Sequence, residues 1–182
     1  TYSRVTTQAQ PLSIVNLTEI VTDVLSDIEM RIEQTGGDIE IGELATIEAE
    51  PTQMHQLFQN LISNALKFHR EGIRPQVKVY SRIIKENTSY LWTEATKEYV
   101  EITFEDNGIG IDSKYYERIF GVFQRLHGKE KYEGTGIGLA ICQKIVLRHN
   151  GRIKVESQLG IGTKFIVILP VRQNKQEVLD CE

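Results

Sequence analysis

The sequence predicts an α+β domain, and two patterns carry that expectation. Val100, Ile102 and Phe104 alternate with Glu101, Thr103 and Glu105, the period-2 signature of a half-buried strand. Met54, Leu57, Phe58, Leu61, Ile62, Ala65 and Leu66 recur at i, i+3 and i+4, the core stripe of an amphipathic helix. At 182 residues the chain has room for one main domain with a sizeable core. Its 40% hydrophobic and 25% charged residues are those of an ordinary globular protein.

Charge and cysteine content exclude several classes. Lys plus Arg number 21 against 25 Asp plus Glu, for a net charge of -4, so no basic field is available to hold a nucleic-acid backbone and no nucleic-acid partner is expected. Cys142 and Cys181 are far apart and lack metal-ligand spacing, which points to neither a disulfide framework nor a zinc site and fits a reducing cytoplasm. No apolar run approaches the roughly 20 residues that span a bilayer, so direct membrane contact by this domain is not expected. The chain starts at Thr1 inside a polar segment, which reads as a piece of a longer parent whose own membrane anchoring is left open.

The elements follow in order. Residues 1 to 13 are polar and end near Pro11, as the tail of an upstream element and a linker. Asn16 with Glu19, flanked by Val15 and Ile20, forms a capping box with a hydrophobic staple. Leu17, Ile20, Val21, Val24, Leu25, Ile28 and Ile32 carry one helix to about residue 33 before Gly36-Gly37. Short strands are expected at 38–41 and 46–49 with a turn near Gly42. Pro51 opens a second helix at the position where proline costs least.

Beside the core stripe of that second helix runs a polar one, Gln53, Gln56, Asn60, Asn64 and Lys67. Gln53 and Gln56 read as solvated. Asn60 and Asn64, one turn apart, are either part of the same wet face or a pair of carboxamide oxygens for a hard cation such as Mg²⁺.

Strands are expected at 77–84 and 99–105, and the polar connection 85–97 with its lone Trp92 is either an extended hairpin or a surface loop. Asp106 then stands at a strand end, followed by Asn107, Gly108, Ile109 and Gly110. An ionised carboxylate only accepts hydrogen bonds and suits the amino group of adenine, with two glycines letting a planar ligand approach the backbone. The same residues also read as a hairpin turn.

A short helix is expected over 111–120 and a mobile charged loop over 128–133. Gly134, Gly136 and Gly138 lead into a helix over 140–146 that ends near Asn150-Gly151, and glycines at a helix N-terminus expose amides that bind phosphate. A dinucleotide-binding turn would need a strand directly before those glycines, where a charged loop stands instead. Strands at 153–157 and 163–169 flank Gly160-Ile161-Gly162, Pro170 closes the sheet, and a polar tail follows.

Taken together, Asn60 to Phe68, Asp106 to Gly110, Phe120 to Phe123, Gly134 to Leu139 and Gly160 to Thr163 resemble, in order, the Asn box, glycine boxes and Phe box of sensor histidine kinases. The likeness covers about residues 14 to 170, and Tyr2-Ser3-Arg4-Val5 resembles the end of the second dimerisation helix that precedes this domain in such kinases. The resemblance implies a two-layer α/β sandwich, a mixed sheet of about five strands covered on one face by about three helices, with ATP beneath a flexible lid. It divides the chain into a helix end and linker (1–13), an ATP-binding catalytic domain (14–171) and a C-terminal tail (172–182).

By the same resemblance, Asp106 holds the adenine amino group, and Gly108, Gly110 and Thr163 line the base pocket. Asn64 ligates Mg²⁺, Asn60 and Lys67 serve the phosphates as the catalytic pair, and Phe68 stands beside the nucleotide. Gly134, Gly136 and Gly138 belong to the phosphate-facing glycine box, and Arg125 is a lid contact, with Lys129 and Lys131 read as a solvated charge cluster. ATPases of the wider superfamily carry a water-activating Glu where this chain has Asn60, a carboxamide without useful basicity. The resemblance therefore favours phosphoryl transfer, which needs mostly positioning and electrostatics, over hydrolysis.

None of His55, His69, His127 and His149 stands where a phosphoacceptor would. The expected function is that of a catalytic domain in two-component signalling, which binds ATP without phosphorylating itself. The acceptor His belongs to the dimerisation domain of the parent, with a response regulator downstream. A nucleotide-sensing module without transfer and an ATPase of the same superfamily are the alternatives.

Overall fold

A computed structural model describes residues 11–90, 93–122 and 136–173, with the side chains of 87–90 and 93–96 excepted. The expectations placed on residues 1–10, Trp92, Phe123, Arg125, His127, Lys129, Lys131, Gly134 and the tail beyond 173 lie outside the described residues.

The chain runs β1 (Ser13–Asn16), α1 (Leu17–Asp27), α2 (Glu29–Thr35), β2 (Asp38–Ile41), β3 (Thr46–Ala49), α3 (Pro51–Lys67), β4 (Gln76–Tyr90), β5 (Thr93–Asp106), α4 (Gly138–Arg148), β6 (Arg152–Gln158) and β7 (Gly162–Pro170). Two 3-10 turns, Ser113–Tyr115 and Arg118–Phe120, lie between β5 and α4. The main sheet has the order β2-β4-β5-β7-β6. Its β2-β4 pair is parallel and the other pairs are antiparallel, so the sheet is mixed, as expected. β1 and β3 form a separate antiparallel pair.

One face of the sheet carries the core. Val77, Val79, Val100, Ile102, Phe104, Phe165, Val167 and Leu169 are buried there beneath Leu17, Val24, Met54, Phe58, Leu61, Ile62, Leu66 and Ile145 of the helices. Phe58 meets Phe104 edge-on with ring centroids 5.0 Å apart, a favoured aromatic geometry. The opposite face carries cross-strand ion pairs such as Arg82–Glu101 at 2.7 Å and Lys164–Glu105 at 3.3 Å, which keep it wet and add little stability.

Helix ends show where local chemistry decided. The Asn16 side chain accepts from the Thr18 amide at 2.9 Å, as a cap should. The single helix expected from 17 to 33 is broken instead at Ile28, whose φ of -108° and ψ of 13° leave the helical region. Pro51 does open α3, but its N-cap is Glu50, whose carboxylate accepts from Thr52 at 2.8 Å and Gln53 at 3.2 Å. Gln53 is buried at 7% exposure, not solvated. The stretch 111–120 forms the two 3-10 turns and no α-helix. Residues 85–90 and 93–97 continue the β4-β5 ladder out to Tyr90↔Thr93, so these residues form an extended hairpin and not a surface loop.

α3 packs against both α1 and α4. α3 and α4 run antiparallel, because Asn60 meets Gly138 at one end while the Glu50 amide meets His149 at the other. No helix among the described residues is long and apolar enough to cross a membrane.

Candidate functional site

The site begins with a row of four cross-strand neighbours at one end of the sheet, Val77↔Asp106↔Thr163↔Ser157. Since side chains alternate along a strand, Asp106 shares the face of Val100, Ile102 and Phe104, and points to the helical layer. Its Oδ1 accepts from the Gly108 amide at 2.8 Å and from the Thr163 amide at 3.2 Å. Among the described residues neither bond reaches Oδ2, which remains able to accept. Burial pushes the Asp106 carboxyl up from 3.8 to about 6, the two amides partly opposing and Glu105 adding to it. No cation among the described residues pairs with it.

The loop after β5 is fixed by backbone contacts. Asn107 acts as an extra rung of sheet, its Oδ1 accepting from Gln76 at 2.9 Å and its Nδ2 donating to the Arg74 carbonyl at 3.0 Å. The Ile109 amide donates to the Phe68 carbonyl at 2.9 Å, and the Ile109 carbonyl accepts from Gly160 at 2.8 Å. Gly110 has φ of +71°, a region that disfavours side chains, and a Cβ there would collide with the Gln158 carbonyl. A Cβ on Gly108 would collide with the Phe68 carbonyl. Both glycines thus make room first of all for protein backbone, which clamps the end of β5 between α3 and the β6-β7 turn.

α3 supplies the second wall. Asn60, Asn64 and Lys67 succeed one another along its half-buried polar stripe, and Phe68 caps its C-terminus. Asn60 Nδ2 donates to the Gly138 carbonyl at 3.4 Å. Lys67 Nζ lies 4.4 Å from the centroid of the Phe68 ring, within cation-π range. The Phe68 amide donates to the Asn64 carbonyl at 3.0 Å, so the contact of Phe68 with the Asp106 loop also ties that loop to the turn bearing Asn64.

The third wall is the start of α4. Gly136 adopts φ of +71°, and the helix begins at Gly138 with no side-chain cap and no acidic residue in its first turn. Among the described residues its leading amides find no side-chain partner of the kind helix N-termini ordinarily have, and they form the positive end of the helix dipole. Contacts join Asp106 to Gly108 and Thr163, the loop of Gly108 and Gly110 to Phe68 at the C-terminus of α3, Lys67 to Phe68, the Asn64 carbonyl to the Phe68 amide, and Asn60, midway along α3, to Gly138, two residues after Gly136. Arg125 and Gly134 lie outside the described residues.

Three further residues hold this arrangement. Arg70 Nε donates to the Asn107 carbonyl at 2.9 Å and its Nη1 to the Gly160 carbonyl at 2.8 Å. Ser157 and Tyr116 bond the β6 end of the row. Most of their partners are backbone atoms remote in sequence, so no local pattern marks them. The described histidines serve the scaffold: His55 pairs with Asp27 at 3.1 Å, His69 Nδ1 meets the Leu66 carbonyl at 2.8 Å, and His149 is buried between α3 and α4.

Residues 49–173 match the family model of histidine kinase-, DNA gyrase B- and HSP90-like ATPases. The chain belongs to this ATPase family. It is 39% identical over 171 residues to the phytochrome-like protein Cph1 of Synechocystis sp., a match that takes in 94% of this chain and 21% of that protein. It is 42% identical over 176 residues to cyanobacterial phytochrome A of Nostoc sp., over 97% of this chain and 21% of that protein. The chain thus spans 21% of the length of each of these relatives.

Among solved structures, the catalytic domain of the histidine kinase ThkA matches with a TM-score of 0.68 and 26% identity, covering 90% of this chain and 98% of that one. The mixed five-stranded sheet under its helical layer is accordingly the catalytic-domain fold of histidine kinases. As a member of the ATPase family, this is an ATP-binding domain of the histidine-kinase kind.

Proposed function

We propose that the domain binds Mg-ATP and delivers its γ-phosphoryl group to a histidine on a dimerisation helix elsewhere in the parent kinase, which then passes it to a response regulator. The supporting observation is the arrangement of acceptor, stripe and helix start. Among the described residues Asp106 keeps one carboxylate oxygen without a donor, α3 carries Asn60, Asn64 and Lys67 along one stripe, and the start of α4, without a side-chain cap, meets α3 at Asn60. In this reading the domain works on the cytoplasmic side of any membrane the parent spans.

Each residue then has a part. Asp106 accepts from the adenine amino group, and Gly108, Gly110 and Thr163 border the base, with Phe68 beside the nucleotide. Amides at Gly136 and Gly138 face the phosphates with Lys67 and Asn60, and Arg125 and Gly134 complete the lid side. The donor set fits Mg²⁺ only when phosphate is present. Among the described residues no group of three or more His, Cys, Asp or Glu could hold a metal, and Asn64 offers one carboxamide oxygen, so most ligands of a hard cation must be phosphate and water oxygens. The bound metal would neutralise charge on the β- and γ-phosphates. Asn60 cannot deprotonate water, and its amide is already turned to Gly138, so the site orients ATP for an external nucleophile.

The test combines this chain with a dimerisation hairpin bearing the acceptor histidine and γ-labelled ATP. Acid-labile phosphohistidine on the hairpin is expected. Steady ATP turnover by the chain alone would indicate an ATPase, and ATP binding with neither product a sensing module.

A further inference from the structure

We infer that Ser157 is a positioning residue that makes the base pocket discriminate between 6-amino and 6-oxo purines, by fixing which way the Thr163 hydroxyl points. The inference rests on the nucleotide reading above and concerns the same site.

The hydrogens available around Ser157 Oγ fix the orientation. Ser157 Oγ has three polar neighbours: the Ile111 amide at 2.8 Å, the Gly162 carbonyl at 2.8 Å and Thr163 Oγ1 at 2.8 Å. The Ile111 amide can only donate and the Gly162 carbonyl can only accept. The one hydroxyl hydrogen of Ser157 is therefore spent on Gly162, because leaving that carbonyl oxygen against an oxygen without a hydrogen between them would be repulsive. The hydrogen in the Ser157–Thr163 contact must then come from Thr163.

Thr163 Oγ1 is left with lone pairs only. It neighbours Asp106 directly across the β5-β7 ladder, on the same face of the sheet, and its own amide holds Asp106 Oδ1. The end of the row consequently presents acceptors from two strands. Such an edge welcomes an amino group and repels the carbonyl oxygen of a 6-oxo purine, and rejection by unpaired polar groups is a strong form of discrimination. Ser157 itself is held in place by Tyr116, whose hydroxyl donates to the Ser157 carbonyl at 2.7 Å and accepts from the Ser157 amide at 2.8 Å. Removing the Ser157 hydroxyl leaves these backbone bonds intact while freeing Thr163 to turn its hydrogen toward a carbonyl oxygen.

The experiment measures the affinities of the whole chain for ATP and ITP at pH 8 in wild type, Ser157→Ala and Ser157→Thr. Wild type and Ser157→Thr should prefer ATP to a similar extent, and Ser157→Ala should lower the ATP-to-ITP ratio by about tenfold, the worth of one hydrogen bond gained by the wrong base. A purely structural role would weaken both ligands together and leave the ratio unchanged, and that result would overturn the inference. Ser157→Cys, a weaker donor and acceptor of similar size, provides the same comparison should Ser157→Ala not fold. Wild type that fails to bind ATP would instead overturn the nucleotide reading, and the inference with it.

Discussion

Asp106 is held in a state that costs the protein stability. A carboxyl whose folded value is raised from 3.8 to about 6 stabilises the fold fully below pH 3.8 and loses that contribution as pH climbs through 6, because the folded state binds the proton more tightly. The interval corresponds to about 3 kcal/mol. Asp106→Asn keeps an oxygen for the Gly108 and Thr163 amides and removes the charge. It should therefore raise the urea midpoint of the ligand-free protein at pH 7.5, with the gain shrinking toward pH 4.5. A variant no more stable than wild type at pH 7.5 would contradict the assigned cause, burial of the charge. The position of Asp106 at a strand end was legible from alternation alone. Arg70 and Ser157 were not, since each acts on backbone atoms brought close only by the sheet order.

At the scale of elements, His149 joins α3 to α4. Its Nδ1 lies 2.8 Å from the Ile145 carbonyl and its Nε2 accepts from the Glu50 amide at 3.1 Å, which fixes the neutral ring with the proton on Nδ1. Burial lowers its titration below the ordinary 6.5, Ile145 and Glu50 opposing and Arg148 assisting. A depressed histidine contributes stability above pH 6.5 that is lost as pH falls through its folded value. His149→Leu should cost about 1–3 kcal/mol at pH 7.5 and should flatten the loss of stability below pH 6.5, as read by denaturation across that range. The helices themselves were legible from Asn16, Pro51 and the apolar stripes. The break at Ile28 was not, because neither Ile28 nor Glu29 is a helix breaker, and Glu50 was missed as a cap because its side chain is not among the preferred ones.

Across the whole molecule, the sheet order decides function more than any single motif. Antiparallel pairing of β5 with β7 sets Asp106 beside Thr163, and α3 lies against α4 so that Asn60, on the stripe it shares with Asn64 and Lys67, meets the start of α4. Sequence spacing listed the parts and their resemblance gave the assembly, while the glycines proved to serve backbone packing as much as any ligand. In the proposed function a carboxylate at the end of β5 grips the base of ATP. This grip is tested most directly by calorimetric titration of Mg-ATP into wild type and Asp106→Asn at pH 7.5 and pH 5. Wild type should bind at pH 7.5 and about tenfold more weakly at pH 5 as the carboxyl takes up its proton, and Asp106→Asn should bind little at either pH. Equal affinity of the two proteins at pH 7.5 would contradict it.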